Sequence, residues 1–362
     1  MTIDKNSDIN LPVLKIGKHT PKYPVIQGGM GIRVSAHKLA GAVAKAGGVG
    51  TIASVALGLD SKHFTGKNYF DANRLALTDE IHWARETAPD GIIAVNSLVA
   101  LTDYEQMVRT TAEAGANVVI SGAGLPLQLP EFTADFPDVA LVPIVSSVKA
   151  ASLIIRKWEK SCHRLPDAII VEAPSTAGGH LGAKYDEVYS PDLTLEKVIP
   201  ELVEFLEKEI KVDIPVIGAG GVWDREDMLK VFALGARGVQ MGTRFVCTEE
   251  CDAPASFKQM YIDSTPDDVT LVKSPVGLPG RAILNKFAKK LEEGAEFHNT
   301  CLATCLKHCS YKVDKKGFCI CTALSKAHKG NVDDGLVFCG SNAPRSTEIS
   351  TVDAIFRDLF PE

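Results

Sequence analysis

A chain of 362 residues, 45% hydrophobic and 23% charged, can bury a large core. Its net charge of −6, with no block of consecutive basic residues, offers nucleic acid no electrostatic footprint, and no run of about 18 apolar residues supports a membrane span. The N-terminal MTIDKNSDIN lacks an apolar export segment, so a cytoplasmic protein is expected.

From residue 24 to about 245, short apolar, β-branched-rich runs alternate with amphipathic stretches. In chain order the runs are PVIQGG, VGTIAS, GIIAVNSL, ANVVISGAG, ALVPIVSS, DAIIVEAP, IPVIGAGG and GVQMGTRF. Helical periodicity predicts helices over Ser35 to Ala46, Asp103 to Ala114, Val148 to Lys157, Leu195 to Ile210 and Asp224 to Leu234, some opened by Ser or Asp as caps. Continuous apolar strands alternating with helices imply a buried parallel sheet. Eight such units predict a (β/α)₈ barrel with its functional residues on the loops after the strands, an open doubly wound sheet being the alternative. The stretch 55–90 is too long for a plain crossover and reads as an insertion over the barrel mouth. The expected organisation is a barrel over 1–250 and an extension over 251–362, where the alternation stops.

Glycines gather where a barrel places its loops: Gln27-Gly28-Gly29-Met30 after the first strand, Gly122 after the fourth, Gly218 to Gly221 after the seventh. GAGGVWDRED reads as strand, glycine turn and helix N-terminus, where free N–H groups favour a phosphate. Gln240, Gly242 and Thr243 follow at the eighth strand. Phosphates commonly bind after strands 7 and 8 of this fold, and a glycine turn so late in the chain does not fit a Rossmann dinucleotide site. FMN is the expected cofactor, its phosphate at Gly220, Gly221, Gly242 and Thr243 and its ring near Gly29, Met30 and Asn96. After the sixth strand, His180 stands between glycine pairs in AGGHLG, suited to serve as a base near its ordinary pKa of about 6.5.

Near the C-terminus, CLATCLKHCSYKVDKKGFCIC packs five of nine cysteines into residues 301–321. In a reducing compartment thiolate ligation of a metal is favoured over disulfides. Cys301, Cys305 and Cys309 recur every four residues, as on one helical face, and Cys319 closes the set. That spacing suits zinc or an iron–sulfur cluster equally, with Cys321 a spare neighbour. Cys162, Cys247, Cys251 and Cys339 read as plain core or surface thiols.

The motifs PVIQGGMG, AVNSL, AGGHLG, IPVIGAGGV and GVQMGTRF resemble the nitronate monooxygenase superfamily of FMN-dependent barrels. LKIGKHTPKYPVIQGGMG, SGAGLPLQLPEF, ALVPIVSSVKA, KSPVGLPGRAI and the cysteine stretch extend the resemblance over nearly the whole chain, and are most like its iron–sulfur acyl-ACP dehydrogenase/isomerase branch of unsaturated fatty acid synthesis. The resemblance implies FMN contacts at Gln27, Gly28, Gly29, Met30, Asn96, Gly122, Lys149, Glu172, Gly179, Gly218, Gly220, Gly221, Gln240, Gly242 and Thr243, with His180 as the catalytic base. It also favours a [4Fe-4S] cluster on Cys301, Cys305, Cys309 and Cys319.

The favoured reaction introduces a double bond into an acyl group on acyl carrier protein. The alternatives are oxidation of alkyl nitronates with O2 as electron acceptor, NAD(P)H-dependent enoyl reduction, and a non-catalytic redox sensor. A basic surface of Arg281, Lys286, Lys289 and Lys290 is the candidate dock for an acidic carrier. A homo-oligomer, a dimer, is expected.

Overall fold

The computed structural model describes residues 11–297, 301, 303–314 and 317–361. Its strands in chain order are β1 (Val25–Gln27), β2 (Val49–Ala53), β3 (Ile92–Leu98), β4 (Val118–Gly122), β5 (Ala140–Val145), β6 (Ile169–Glu172), β7 (Gly179–His180), β8 (Val216–Ala219), β9 (Gly238–Met241), β10 (Val269–Lys273) and β11 (Pro279–Ile283). Eight of them close a parallel barrel in the order β1-β2-β3-β4-β5-β6-β8-β9. The seam pairs β1 with β9 in the register Val25↔Val239, Ile26↔Gln240 and Gln27↔Met241. The predicted (β/α)₈ fold is therefore the observed one, and β8 and β9 are the seventh and eighth barrel strands.

The strands are buried on both faces, as their unbroken apolar runs require. Ile26, Ile120, Val142, Ile170 and Ile217 fill the interior together with Leu14 and Ile16, which enter from the N-terminal segment. The helices on the outside follow ordinary capping rules. Ser147 accepts from the Ala150 N–H at the start of Val148–Cys162, whose Ala151, Ile154, Ile155 and Trp158 form the buried stripe. Asp224 caps Arg225–Ala233 by accepting from the Asp227 N–H at 3.0 Å.

Between β2 and β3 the chain is longer than a plain crossover, as expected. Most of the excess is the helix Tyr69–Thr87, whose Leu77, Ile81 and Ala84 pack with Ile52, Ile93 and Val95 on the barrel wall rather than over its mouth.

β10, β11 and β7 form a separate antiparallel sheet in which Gly280 pairs with His180 and Arg281 with Gly179. Thus the two-residue strand that bears His180 is held by the C-terminal part of the chain. The apolar core runs without a break from barrel residues such as Phe245 to Phe287, Leu324 and Phe356.

Candidate active site

At the strands' C-terminal ends lies a cavity of about 240 Å³. It brings together Gly28, Gly29, Met30, Asn96, Gly122, Glu172, Gly179, His180, Gly220, Gly221, Gln240, Gly242 and Thr243. Three other sequence candidates lie off its wall. Gln27 is fully buried and structural, its Oε1 accepting from the Thr51 N–H at 2.9 Å and its Nε2 donating to the Gly28 carbonyl. Gly218 is packed beneath Val231, which a Cβ there would meet at 2.5 Å. Lys149 is exposed on the first turn of its helix and points away from the interior, as a hydrated ammonium does.

One end of the cavity is built for a polar, phosphorylated ligand. Gly220 and Gly221 have φ of +94° and +79°, an arrangement that presents successive N–H groups ahead of the helix capped by Asp224. Residues with no forewarning in the sequence complete this end. The Asn342 side chain donates to the Gly221 carbonyl at 2.8 Å, the Gly340 N–H donates to Thr243 Oγ1 at 3.2 Å, and the Ser341 N–H donates to the Thr176 carbonyl at 3.1 Å. Arg345 locks the same segment to Asp224 and Asp227 at 2.7 and 3.1 Å. Deeper in, Asn96 Oδ1 and Gln240 Oε1 are buried without a hydrogen-bond partner in the protein. Buried polar atoms are rarely left so. Two orphaned acceptors on a cavity wall fit the N–H and O–H donors of a flavin and its ribityl chain, so the residues present fit FMN.

His180 also lines the cavity. Its Nε2 lies 2.8 Å from Ser274 Oγ, and its ring meets Phe338 edge-on at 5.1 Å between centroids. Burial lowers its pKa from 6.5 to about 4, so the imidazole is neutral at physiological pH. Burial also pushes the Glu172 carboxyl up to about 7, against the opposing pull of the Arg281 cation.

Arg281 itself is not part of a basic surface, contrary to the sequence expectation: it is 2% exposed. Its guanidinium donates to the carbonyls of Pro174, Ser175 and Ala177, clamping the loop between β6 and His180. The other residues of that patch are solvated, with Lys286 and Lys290 paired to Asp333 and Asp334. Replacing Arg281 by methionine, which keeps bulk but leaves three carbonyls unmet, is expected to cost on the order of 3 kcal/mol in denaturant unfolding. Lysine should recover only part of this, because it cannot fork. An unchanged midpoint for Arg281→Met would refute the clamp.

The cysteine segment differs from its expectation. Residues 303–309 are not helical; they run beside the loop after β3, where Leu306 bridges Leu101, the Lys307 N–H donates to the Ala100 carbonyl and the Thr102 N–H donates to the Cys305 carbonyl. Cys305 and Cys321 share a thiol hydrogen bond, which with burial holds Cys321 protonated, and both line the cavity. Cys339 lines the same wall. Among the described residues no group of three or more His, Cys, Asp or Glu is arranged to hold a metal ion, so Cys301, Cys305, Cys309 and Cys319 as they stand do not form a ligand shell. No described helix is long and apolar enough to cross a membrane.

The profile of the family described as "Nitronate monooxygenase" matches residues 13–362. A "Probable nitronate monooxygenase" of Staphylococcus saprophyticus is 26% identical, covering 75% of this chain and 78% of that protein. A "(3aS,4S,5R,7aS)-5-hydroxy-7a-methyl-1-oxo-octahydro-1H-indene-4-carboxyl-CoA dehydrogenase" of Mycobacterium tuberculosis is 27% identical over 76% of this chain and 66% of its own length. Among solved structures, FabK from Thermotoga maritima superposes with a TM-score of 0.71 at 26% identity, covering 94% of this chain and 92% of that one. A nitroalkane oxidase from Streptomyces ansochromogenes, at a TM-score of 0.70, 19% identity and coverage of 94% and 95%, shares the fold.

Proposed function

The chain belongs to the nitronate monooxygenase family and is an FMN-dependent oxidoreductase; from that premise we propose that it dehydrogenates a saturated acyl thioester carried by acyl carrier protein. The observation that carries this reading is the lining of the cavity, which besides His180 and the glycines includes the apolar side chains of Val55, Leu98, Leu101, Val276, Leu306, Ile320 and Leu324. A small nitronate has little use for so many apolar side chains, whereas an acyl chain gains about 25 cal/mol per Å² buried against them. The mycobacterial relative, named as a carboxyl-CoA dehydrogenase, supports thioester chemistry in this family.

His180, neutral and desolvated, takes the proton from the carbon next to the thioester carbonyl. FMN, when bound, would supply the acceptor for the hydride that leaves the adjacent carbon. Together the two losses leave an enoyl thioester; once His180 has released its proton it can take one from the γ-carbon and return it to the α-carbon, which moves the double bond with no net gain or loss of protons. Gly220, Gly221, Gly242, Thr243, Gly340 and Asn342 would hold the phosphate end of the cofactor, and Asn96 and Gln240 would bond its polar atoms. The apolar wall excludes water from the reacting carbons. The second reading, oxidation of alkyl nitronates with O2, is supported by the names of the staphylococcal relatives. Turnover of medium-chain acyl-ACP and of propyl-2-nitronate by the same preparation separates the two. An unsaturated acyl product is expected; efficient nitronate turnover with no reaction on any acyl thioester would reverse the assignment.

The [4Fe-4S] cluster on Cys301, Cys305, Cys309 and Cys319 is retained as a proposal on the spacing and the family resemblance. Its binding requires the segment to rearrange from the thiol pairing described above, and no step of the reaction is routed through it. Iron and acid-labile sulfide in protein isolated without oxygen are expected, and their loss in Cys301→Ala and Cys309→Ala. Full iron in those variants, or zinc in place of iron, would overturn the assignment.

A further inference from the structure

The bond between His180 and Ser274 uses the nitrogen that a base would otherwise turn to its substrate. We propose that Ser274 is a positioning residue that accepts the Nε2–H of His180 and so leaves Nδ1 as the basic nitrogen facing the cavity. The inference rests on the reading of His180 as the base.

Ser274 is 7% exposed and opens the turn between β10 and β11. Three bonds hold it. Its Oγ accepts from the Val276 N–H at 3.3 Å, its carbonyl accepts from the Gly277 N–H at 3.0 Å, and its N–H donates to the Leu278 carbonyl at 3.3 Å. The hydroxyl oxygen is thus placed by backbone before it meets the histidine. One of its lone pairs is taken by Val276, and the other faces Nε2 at 2.8 Å. A neutral imidazole carries one donor and one acceptor nitrogen. With Nε2 committed to Ser274, a histidine that takes a proton from substrate must hold its own proton on Nε2.

The backbone of His180 is fixed by its pairing with Gly280, and its ring by Phe338. The Ser274 turn therefore sets the one degree of freedom left, the tautomer. After proton transfer the same oxygen stabilises the imidazolium through an Nε2–H that is by then more acidic, the part that a carboxylate plays in a catalytic triad. A hydroxyl in place of a carboxylate stabilises the cation less, which suits a base that must give its proton back. Glu172, Tyr261, Cys305, Cys321 and Cys339 share the cavity wall with His180 and Arg281 lies across the β7–β11 pairing, yet burial alone accounts for its lowered titration.

The test reads the tautomer directly. In holoenzyme labelled with 15N-histidine, with the His180→Gln spectrum subtracted, Nε2 of His180 is expected as the protonated nitrogen and Nδ1 as the bare one. The reverse assignment overturns the proposal. This readout needs no substrate, so an error in the substrate reading leaves it standing. Ser274→Ala is expected to lower kcat about tenfold, the worth of one hydrogen bond, with FMN content and KM unchanged. Loss of a bond that favours the cation lowers the histidine pKa, so the acid limb of kcat/KM moves to lower pH. Ser274→Thr keeps the oxygen and should restore kcat to within about threefold of the native value. An acid limb that moves up or stays, or a threonine variant as slow as alanine, contradicts the assignment.

Discussion

His180→Ala is expected to lower kcat by about 10²–10⁴-fold, the range that a positioned general base supplies, while the protein keeps its full complement of FMN. The proposed flavin contacts lie at other residues of the wall, and the side chain lost bonds Ser274 and packs edge-on against Phe338. The pH dependence follows from the environment of the same residue. Because burial brings its pKa to about 4, the base is unprotonated across the neutral range. Its protonation, and the loss of rate that goes with it, is confined to acid. The kcat/KM profile of the native enzyme should be level above roughly pH 5 and fall below it, where an exposed histidine would already fail near 6.5. A limb near 6.5 would place His180 in water rather than on a closed wall. Retention of most of the native rate by His180→Ala would remove it from the mechanism.

Gly221→Val is expected to yield folded, colourless protein. The φ of +79° at this position is in the left-handed region, which costs a β-branched residue about 1–3 kcal/mol. The new Cβ would also meet the Thr176 side chain at 3.2 Å. Relief by rotation of the peptide turns away the N–H groups that face the phosphate end. Two charge-assisted bonds at about 1.5–3 kcal/mol each correspond to a fall of two decades or more in FMN affinity. Circular dichroism together with flavin content reads the result. Full flavin at native stoichiometry would show that the phosphate is held elsewhere.

These two positions were legible in the sequence for different reasons from those that hid Ser274, Arg281, Gly340 and Asn342. The barrel strands announce themselves because a parallel sheet covered on both faces demands continuous β-branched runs, and the glycines at their ends stand out against them. His180 is conspicuous between glycines. Ser274 and Arg281 owe their roles to the pairing of β11 with β7, about 100 residues apart in the chain. Gly340 and Asn342 meet the glycine turn only because the final segment folds back to it. Such contacts leave no local pattern. Arg281 misled in the opposite direction: a cation beside three lysines reads as surface until the loop carbonyls that solvate it are placed around it.

The cysteines show how tertiary structure overrides a spacing rule. Residues four apart share a face only if the backbone between them is helical. Here the bridge between Leu306 and Leu101, with its flanking backbone hydrogen bonds, draws the segment against the barrel instead. Cys319 stands at a helix start, as the N-cap of Ile320–His328, which the spacing of the cysteines did not indicate.

Anaerobic mixing of oxidised holoenzyme with medium-chain acyl-ACP tests most directly whether this family member takes a proton and a hydride from an acyl thioester. Loss of flavin colour is expected with the native protein and its persistence with His180→Ala. Colour retained with every acyl thioester, but lost on addition of propyl-2-nitronate, would contradict it.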